Sequence, residues 1–359
     1  MSIATRVAAA GLVAAFALSA GAARAADLEK VRALIPVKNI DESFSPFAVA
    51  KQLGYFKEEG LDVDLLAVGG SNEVAIQVAA GNGDVGAASA AQAIVGMQPS
   101  FNLDVKYFYD LYYKNIWSVS VPVDSPIKSV KELKGKKWGV ASMGSAGVTY
   151  GRAFARSAGL DPQKDLAFLP IGGGAQAMTA VRQKAVDAIV YWDAALVKFD
   201  VSGLKLRNLP VPEEVSELPD VSLLARQETV KNKGKMLTGF ARAVAKGYDF
   251  TMANPAAAVA ITWKLYPEAK PMNLSPDAAL KGGIRVNQSR MVNWDSPKTN
   301  GKHGLFVAAD WKRVVEFMKD QQLLSQDVPV ERIFTNQFID AANDYDRAAI
   351  VKAAKSYKH

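Results

Sequence analysis

Ser142, Gly144, Ser145 and Gly147 stand in "WGVASMGSAGVTYGRAFARSAGL" (138–160), between a short buried strand and an amphipathic helix. Small hydroxylated residues ahead of a helix leave backbone N–H groups facing outward, where they can hold an anion. A hydrogen bond to a charged group contributes roughly 1.5–3 kcal/mol. The same residues also make an ordinary helix cap, with glycine supplying the turn. A nucleotide phosphate loop is excluded, because the stretch lacks the Gly-Lys-Ser/Thr that brings a lysine to the phosphates.

Other groups share this character. Tyr191, Trp192 and Asp193 end a buried strand and offer either an aromatic wall with an acceptor, or a core tryptophan and a helix cap. Ser89 and Gln92 in "AASAAQA" follow another strand in the same way. Phe44 and Ser45 follow the first strand, with Ser45 expected to cap the helix that begins at Pro46. Tyr112, Tyr113 and Trp117 lie where the chain is expected to cross between halves, and one or two of them line a cleft or fill the core. Glycines 172–174 serve a positive-φ turn or let backbone approach a solute, Gly174 being the candidate contact. The polar stretch 287–304, carrying Trp294 and His303, reads as a long loop that is a lid, a partner contact or simply solvent-exposed, and no cationic residue is clearly placed beside these groups.

Enzyme chemistry finds little material. The chain has no cysteine and two histidines, His303 and the terminal His359. Thiol chemistry, imidazole catalysis and a histidine-rich metal site are therefore not expected, and neither is a cofactor. The pairs Glu58/Glu59 and Glu213/Glu214 sit in surface stretches, and Asp340, Asp344 and Asp346 lack the spacing of a calcium loop.

These residues need elements to carry them. The first 25 residues have Arg6, an apolar run and Ala23-Arg24-Ala25, the pattern of a signal peptide cleaved near Ala25/Ala26. Loss of Arg6 and Arg24 leaves 41 basic against 36 acidic residues, scattered without aromatic interleaving, so nucleic acid is not an expected partner. Beyond the leader, strands alternate with helices, which predicts a parallel or mixed sheet with covering helices. "VGGSNEVAIQVAAGNGDVGAAS" (68–89) aligns without gaps on "IGGGAQAMTAVRQKAVDAIVYW" (171–192) at an offset of 103. Gly69/Gly172, Gly70/Gly173, Val78/Val181 and Asp84/Asp187 coincide, which suggests two lobes on one plan. Past residue 220 the chain reads as helical and is expected to return to the first lobe. The division is then 1–25 signal peptide, 27–120 plus 222–359 lobe 1, and 121–221 lobe 2.

"SPFAVAKQLGYFKEEGLDVDLLAVGG", "GNGDVGAAS", "DSPIKSVKELKGKKWGVASMGSAGVTYGRAFARSAGLDP" and "AVDAIVYWDAA" resemble, in order and spacing, the periplasmic solute-binding proteins of bacterial ABC importers. The likeness covers about residues 30 to 200 and points to the nitrate, sulfonate, taurine and thiamine-precursor branch. It implies a two-lobed α/β fold of type II-like plan, each lobe a mixed sheet flanked by helices, closing by a hinge on one small solute. A periplasmic monomer is expected, delivering its solute to an ABC permease and its ATPase. Two alternatives stay open: an enzyme on the same fold related to pyrimidine-precursor synthesis, and a sensor for a membrane signalling protein. The aromatic candidates favour an organic solute over a bare inorganic anion.

Overall fold

The computed structural model describes residues 28–358; the expected signal peptide lies outside the described residues. Ten strands run along the chain: β1 (Glu29–Ile35), β2 (Leu61–Ala67), β3 (Val85–Ser89), β4 (Val105–Asp110), β5 (Trp117–Pro122), β6 (Lys136–Val140), β7 (Leu166–Pro170), β8 (Ala188–Trp192), β9 (Leu206–Asn208) and β10 (Val221–Arg226). They form two five-stranded sheets, ordered β2-β1-β3-β10-β4 and β7-β6-β8-β5-β9. In each sheet the first three strands are parallel, and the fourth position holds an antiparallel strand beside a crossing between sheets: β10 on the return, β5 on the way out.

The internal repeat holds in three dimensions. Helix Ser71–Ala79 corresponds to Gly174–Arg182 and β3 to β8, each pair offset by 103. The shared aspartates make the same local contact. Asp84 accepts the backbone N–H of Arg32 at 2.8 Å, and Asp187 accepts that of Lys137 at 2.8 Å. Each carboxylate pins the entry of its third strand to the central one. The coincident valines, Val78 and Val181, are buried.

Around Ser45 the structure differs from expectation. Asp41 caps a 3-10 turn at Glu42–Phe44, and the α-helix Ser45–Gln52 continues from it, so Ser45 is already a helical residue. Its hydroxyl donates to the Glu42 carbonyl at 2.9 Å and lies 2.9 Å from the Thr262 hydroxyl. Gly54, at φ 82°, then breaks the helical run before Tyr55–Glu58.

The helical C-terminal part lies against the first sheet and its helices. Phe240, on helix Gly234–Ala253, packs on Phe56 with ring centroids 5.0 Å apart and meets Phe47 at 6.3 Å. Burial of each such ring stabilises by roughly 1.5–3 kcal/mol. Gly247 lets this helix cross the Ser45–Gln52 helix, because a Cβ there would collide with the Pro46 carbonyl. From helix Ala308–Asp320, Trp311 Nε1 donates to Asp110 Oδ2 at 3.0 Å.

The expected loop at 287–304 is partly helix: Pro276–Met291 is helical, and it reaches the second lobe. Arg285 Nη2 pairs with Asp200 at 2.7 Å, and a Cβ on Gly282 would stand 2.7 Å from Val201. Trp294 is buried against Tyr248, and His303 is buried with Nε2 2.8 Å from Asp249 Oδ1, so neither is a solvent-exposed lid residue. No helix among the described residues is long and apolar enough to cross a membrane.

Candidate functional site

A cavity of about 500 Å³ opens between the two sheets. Its walls are the segments that leave parallel strands: residues 36–39 after β1, 69–71 after β2, Ala141 and 145–146 after β6, 172–176 after β7, and Tyr191–Trp192 at the end of β8. Open α/β sheets bind ligands at these carboxyl ends. Aromatic residues dominate one side. Tyr191 and Trp192 are stacked at 5.6 Å with 20° between planes, and Trp117 meets Trp192 edge-on at 5.6 Å.

The sheets are knitted together at the base of the cleft by Asp220, which is wholly buried just ahead of β10. It accepts from Trp117 Nε1 at 2.8 Å, from the Tyr150 hydroxyl at 2.9 Å, and from the Ser89 hydroxyl. Burial pushes its carboxyl up to about 6, against the pull of those three donors. Two of the donors come from the second sheet and its helix, one from the first.

Lys38, Asp41, Lys198, Glu268 and Arg290 are the charged residues lining the cleft, and Asp193 stands just behind it. Lys198, on the second lobe's helix Asp193–Val201, reaches Asp41 at 2.9 Å and Glu42 at 2.7 Å beside the first sheet. Burial alone would lower its ammonium, but the two carboxylates hold it up at about 12. Arg290 is 2% exposed and stands in the wall, with its guanidinium carbon 4.9 Å from the centre of the Tyr112 ring. Asp193 Oδ1 lies 3.0 Å from Arg290 Nη1, yet Nε and Nη1 both lack an aligned hydrogen-bond acceptor. The contact is one of charge. Burial raises Asp193 to about 6, while Arg290 pulls in the opposite direction.

The structure distributes the sequence candidates unevenly. Phe44, Tyr112, Ser145, Gly174, Tyr191 and Trp192 line the cleft. Ser145 also caps helix Ala146–Ser157, its Oγ accepting the Gly147 N–H at 3.1 Å, so the residue that lines the wall is at the same time the helix cap. Tyr191 sits on the wall while its hydroxyl donates to the Gly172 carbonyl. Asp193 does not line the cleft, since its carboxylate is turned to Arg290 and Asn293 behind the wall.

The remaining candidates are occupied elsewhere. Ser45 faces Thr262, and Ser89 is committed to Asp220. Gln92 donates to Thr149 Oγ1 at 2.8 Å, joining the helices that follow β3 and β6. Ser142 lies beside the turn, its carbonyl accepting the Ser145 N–H at 3.1 Å. Gly147 is a packing glycine, since a Cβ would stand 2.8 Å from the Val190 carbonyl and 3.1 Å from Trp117. Gly144 faces Gly70 across the cleft, where a Cβ on Gly70 would lie 3.3 Å from the Gly144 carbonyl. The second lobe's cradle is therefore opposed by the 69–71 turn.

The sequence reading missed Lys38, Lys198 and Arg290, and the cleft does contain cations. A signal for Arg290 existed: Ala279, Gly282, Gly283, Val286, Asn287 and Arg290 are buried at helical spacing. An arginine on the buried face of a helix is rarely left there without an acidic or ligand partner. His303 does not line the cleft, and among the described residues no cluster of acidic or histidine side chains could hold a metal.

Two mixed sheets of one plan, joined by crossings and facing each other over a cleft, define the two-lobed class of binding-protein folds. The family model described as NMT1/THI5 like matches residues 41–258, and the chain belongs to that family. It is 26% identical over 300 residues to the riboflavin-binding protein RibY of Chloroflexus aurantiacus, covering 82% of each chain. It is 24% identical over 294 residues to a formylaminopyrimidine-binding protein of Halalkalibacterium halodurans, covering 80% of this chain and 84% of the relative. The solved structure of the alkanesulfonate-binding protein SsuA from Xanthomonas axonopodis pv. citri, bound to MOPS, superposes with a TM-score of 0.66 at 16% identity, over 87% of this chain and 99% of that one.

Proposed function

We propose that this protein is a periplasmic receptor which binds one small organic solute between its lobes and delivers it to an ABC permease and its ATPase. The observation that carries this reading is the cleft itself: about 500 Å³, walled by strand ends of both sheets and rich in aromatic surface. Cavities of roughly 300–1,000 Å³ suit drug-sized organic molecules. A bare inorganic anion would leave most of that space empty, so an aromatic or heterocyclic compound carrying carboxylate, sulfonate or similar groups fits better. Because β5 lies wholly in the second sheet and β10 begins at Val221 in the first, the lobes in this reading are 28–116 plus 221–358 and 117–220, which moves the expected breaks at 120/121 and 221/222 to the strand starts. A ligand touching both lobes favours the closed arrangement by its greater affinity for it.

The chain is read as a monomer and a binder. No cysteine is available as nucleophile, and His303 is engaged by Asp249 away from the cleft. Screening by thermal shift and calorimetry with riboflavin, formylaminopyrimidine, aromatic sulfonates and aromatic carboxylates tests the reading. A cleft ligand at a hundredfold its Kd stabilises by about 2.7 kcal/mol. Absence of binding across the whole panel, or turnover of any member, would sink it.

A further inference from the structure

Arg290 carries donors that the cleft leaves without acceptors. Asp193, the acid beside it, makes its aligned hydrogen bonds elsewhere: Asp193 Oδ1 accepts the Ala194 N–H at 2.6 Å and Oδ2 accepts Asn293 Nδ2 at 3.1 Å. The guanidinium is thus held by charge and by the face of Tyr112: Nη1 meets Asp193 Oδ1 at 3.0 Å without an aligned hydrogen bond, and Nε finds no acceptor. A buried donor without a partner costs about 1–3 kcal/mol, more when it is charged, and a planar oxyanion is the group that a guanidinium fork matches. The other cations lining the cleft are Lys198, half-buried and already matched by two carboxylates, and Lys38, which is exposed.

We propose that Arg290 and Asp193 are the charge-selecting pair of the cleft: Arg290 receives the oxyanion of a flat aromatic solute, and Asp193 is the internal competitor whose hold on the guanidinium this anion must overcome. This rests on the solute-receptor reading above. The aromatic half of the ligand lies against Tyr191 and Trp192, which come from the same strand end as Asp193, so one strand-to-helix junction presents both the stacking surface and the counter-charge. The charged groups around Asp193 and Arg290 are Lys198, five residues on along the same helix, Asp41 across the cleft and Asp220 beneath, all either paired or hydrogen-bonded.

The probes are 2-naphthoate and its neutral isostere 2-naphthamide, measured by calorimetry on the full mature chain. The wild type is expected to prefer naphthoate by about tenfold or more, the equivalent of one charge-assisted hydrogen bond. Asp193→Asn keeps the guanidinium and removes its rival, so naphthoate affinity should rise about threefold to tenfold while naphthamide stays level. Arg290→Gln should abolish the preference, and Arg290→Lys should restore part of it. Equal affinities for the two probes in the wild type, or a naphthoate affinity that Asp193→Asn lowers or leaves unchanged, would overturn the pairing and leave the receptor reading intact. If neither naphthalene nor any solute of the wider panel binds, the receptor reading itself fails, and this inference with it. Should Arg290→Gln fail to fold, Asp193→Asn decides alone, because it removes no buried donor from the guanidinium side.

Discussion

Trp117 Nε1 donates to Asp220 Oδ2 at 2.8 Å, tying the first strand of the second sheet to the residue that leads the chain back into the first. Tyr150 and Ser89 complete the shell from opposite sides. Replacing Asp220 with Ala would leave three buried donors without an acceptor, at about 1–3 kcal/mol each. We expect Asp220→Ala to lose about 3 kcal/mol or more of unfolding free energy in urea. Asp220→Asn should lose less, since Ser89 and Tyr150 can rotate to accept from an amide whose oxygen still takes the indole N–H. A loss below about 1 kcal/mol in Asp220→Ala would show that the node carries no weight.

Asp110 makes stability depend on pH in the neutral range. It is buried and accepts from Trp311 at 3.0 Å and Ser222 at 2.8 Å, yet burial pushes its carboxyl up to about 8, with Asp310 and Asp220 adding repulsion. The folded state therefore holds a proton that the unfolded chain releases near pH 4. This contribution is fully present below about pH 4 and is lost as pH rises through about 8. Asp193 and Asp220, both near 6, are half-titrated at about pH 6 and nearly finished by about pH 7, so the interval from about pH 7 to 8 is the one in which Asp110 dominates. Wild-type stability should fall there by up to about 1.4 kcal/mol per pH unit. Asp110→Asn should flatten that slope, and denaturation midpoints at pH 6, 7 and 8 for both proteins decide the matter.

Much of this architecture was legible because it is locally encoded. Strand, glycine turn, helix and strand recur at an offset of 103, and Asp84 and Asp187 repeat because both pin a parallel strand to its neighbour. Ser145 was legible as a cap because capping is decided within three residues. Gln92 and Ser89 were legible as residues after a strand, but their partners, Thr149 and Asp220, come from 57 and 131 residues away. Arg290 was hidden by its own helix. Gly282 and Gly283 weaken the helical signal by about 1 kcal/mol each, and they are tolerated because Val201 and Val259 fill the space a side chain would need. Tertiary packing supplies that helix, and the cleft's cation comes with it.

Lys198 bridges the cleft to Asp41 and Glu42, so its loss should act on opening more than on folding. In Lys198→Met the two acids are left unpaired in the closed form, a situation that costs several kcal/mol when it cannot relax. Here it relaxes by separation of the lobes, which returns both carboxylates to water. We expect a larger radius of gyration by small-angle scattering, affinity for a cleft ligand reduced about tenfold, and unfolding free energy changed by less than about 1 kcal/mol. Unchanged scattering together with a large loss of stability would assign the pair to folding instead.

Ser145→Asp separates the two roles of one residue. Aspartate caps a helix as well as serine does, and a negative charge at a helix N-terminus is favourable, so helix Ala146–Ser157 should keep its start, with a loss held to about 1–2 kcal/mol by those terms against the desolvation of a charge at a residue only 7% exposed. The new carboxylate, however, stands in the cleft wall opposite the 69–71 turn. An anion anchored at Arg290 and reaching the second lobe would meet it as a like charge. Affinity for 2-naphthoate should therefore fall about tenfold or more, with 2-naphthamide changed less than about threefold. The repulsion should ease as salt is raised, because the site is partly open to solvent. If naphthoate binds the variant as tightly as the wild type, the anion does not approach the Ser145 turn, and the cradle ahead of that helix is a cap alone.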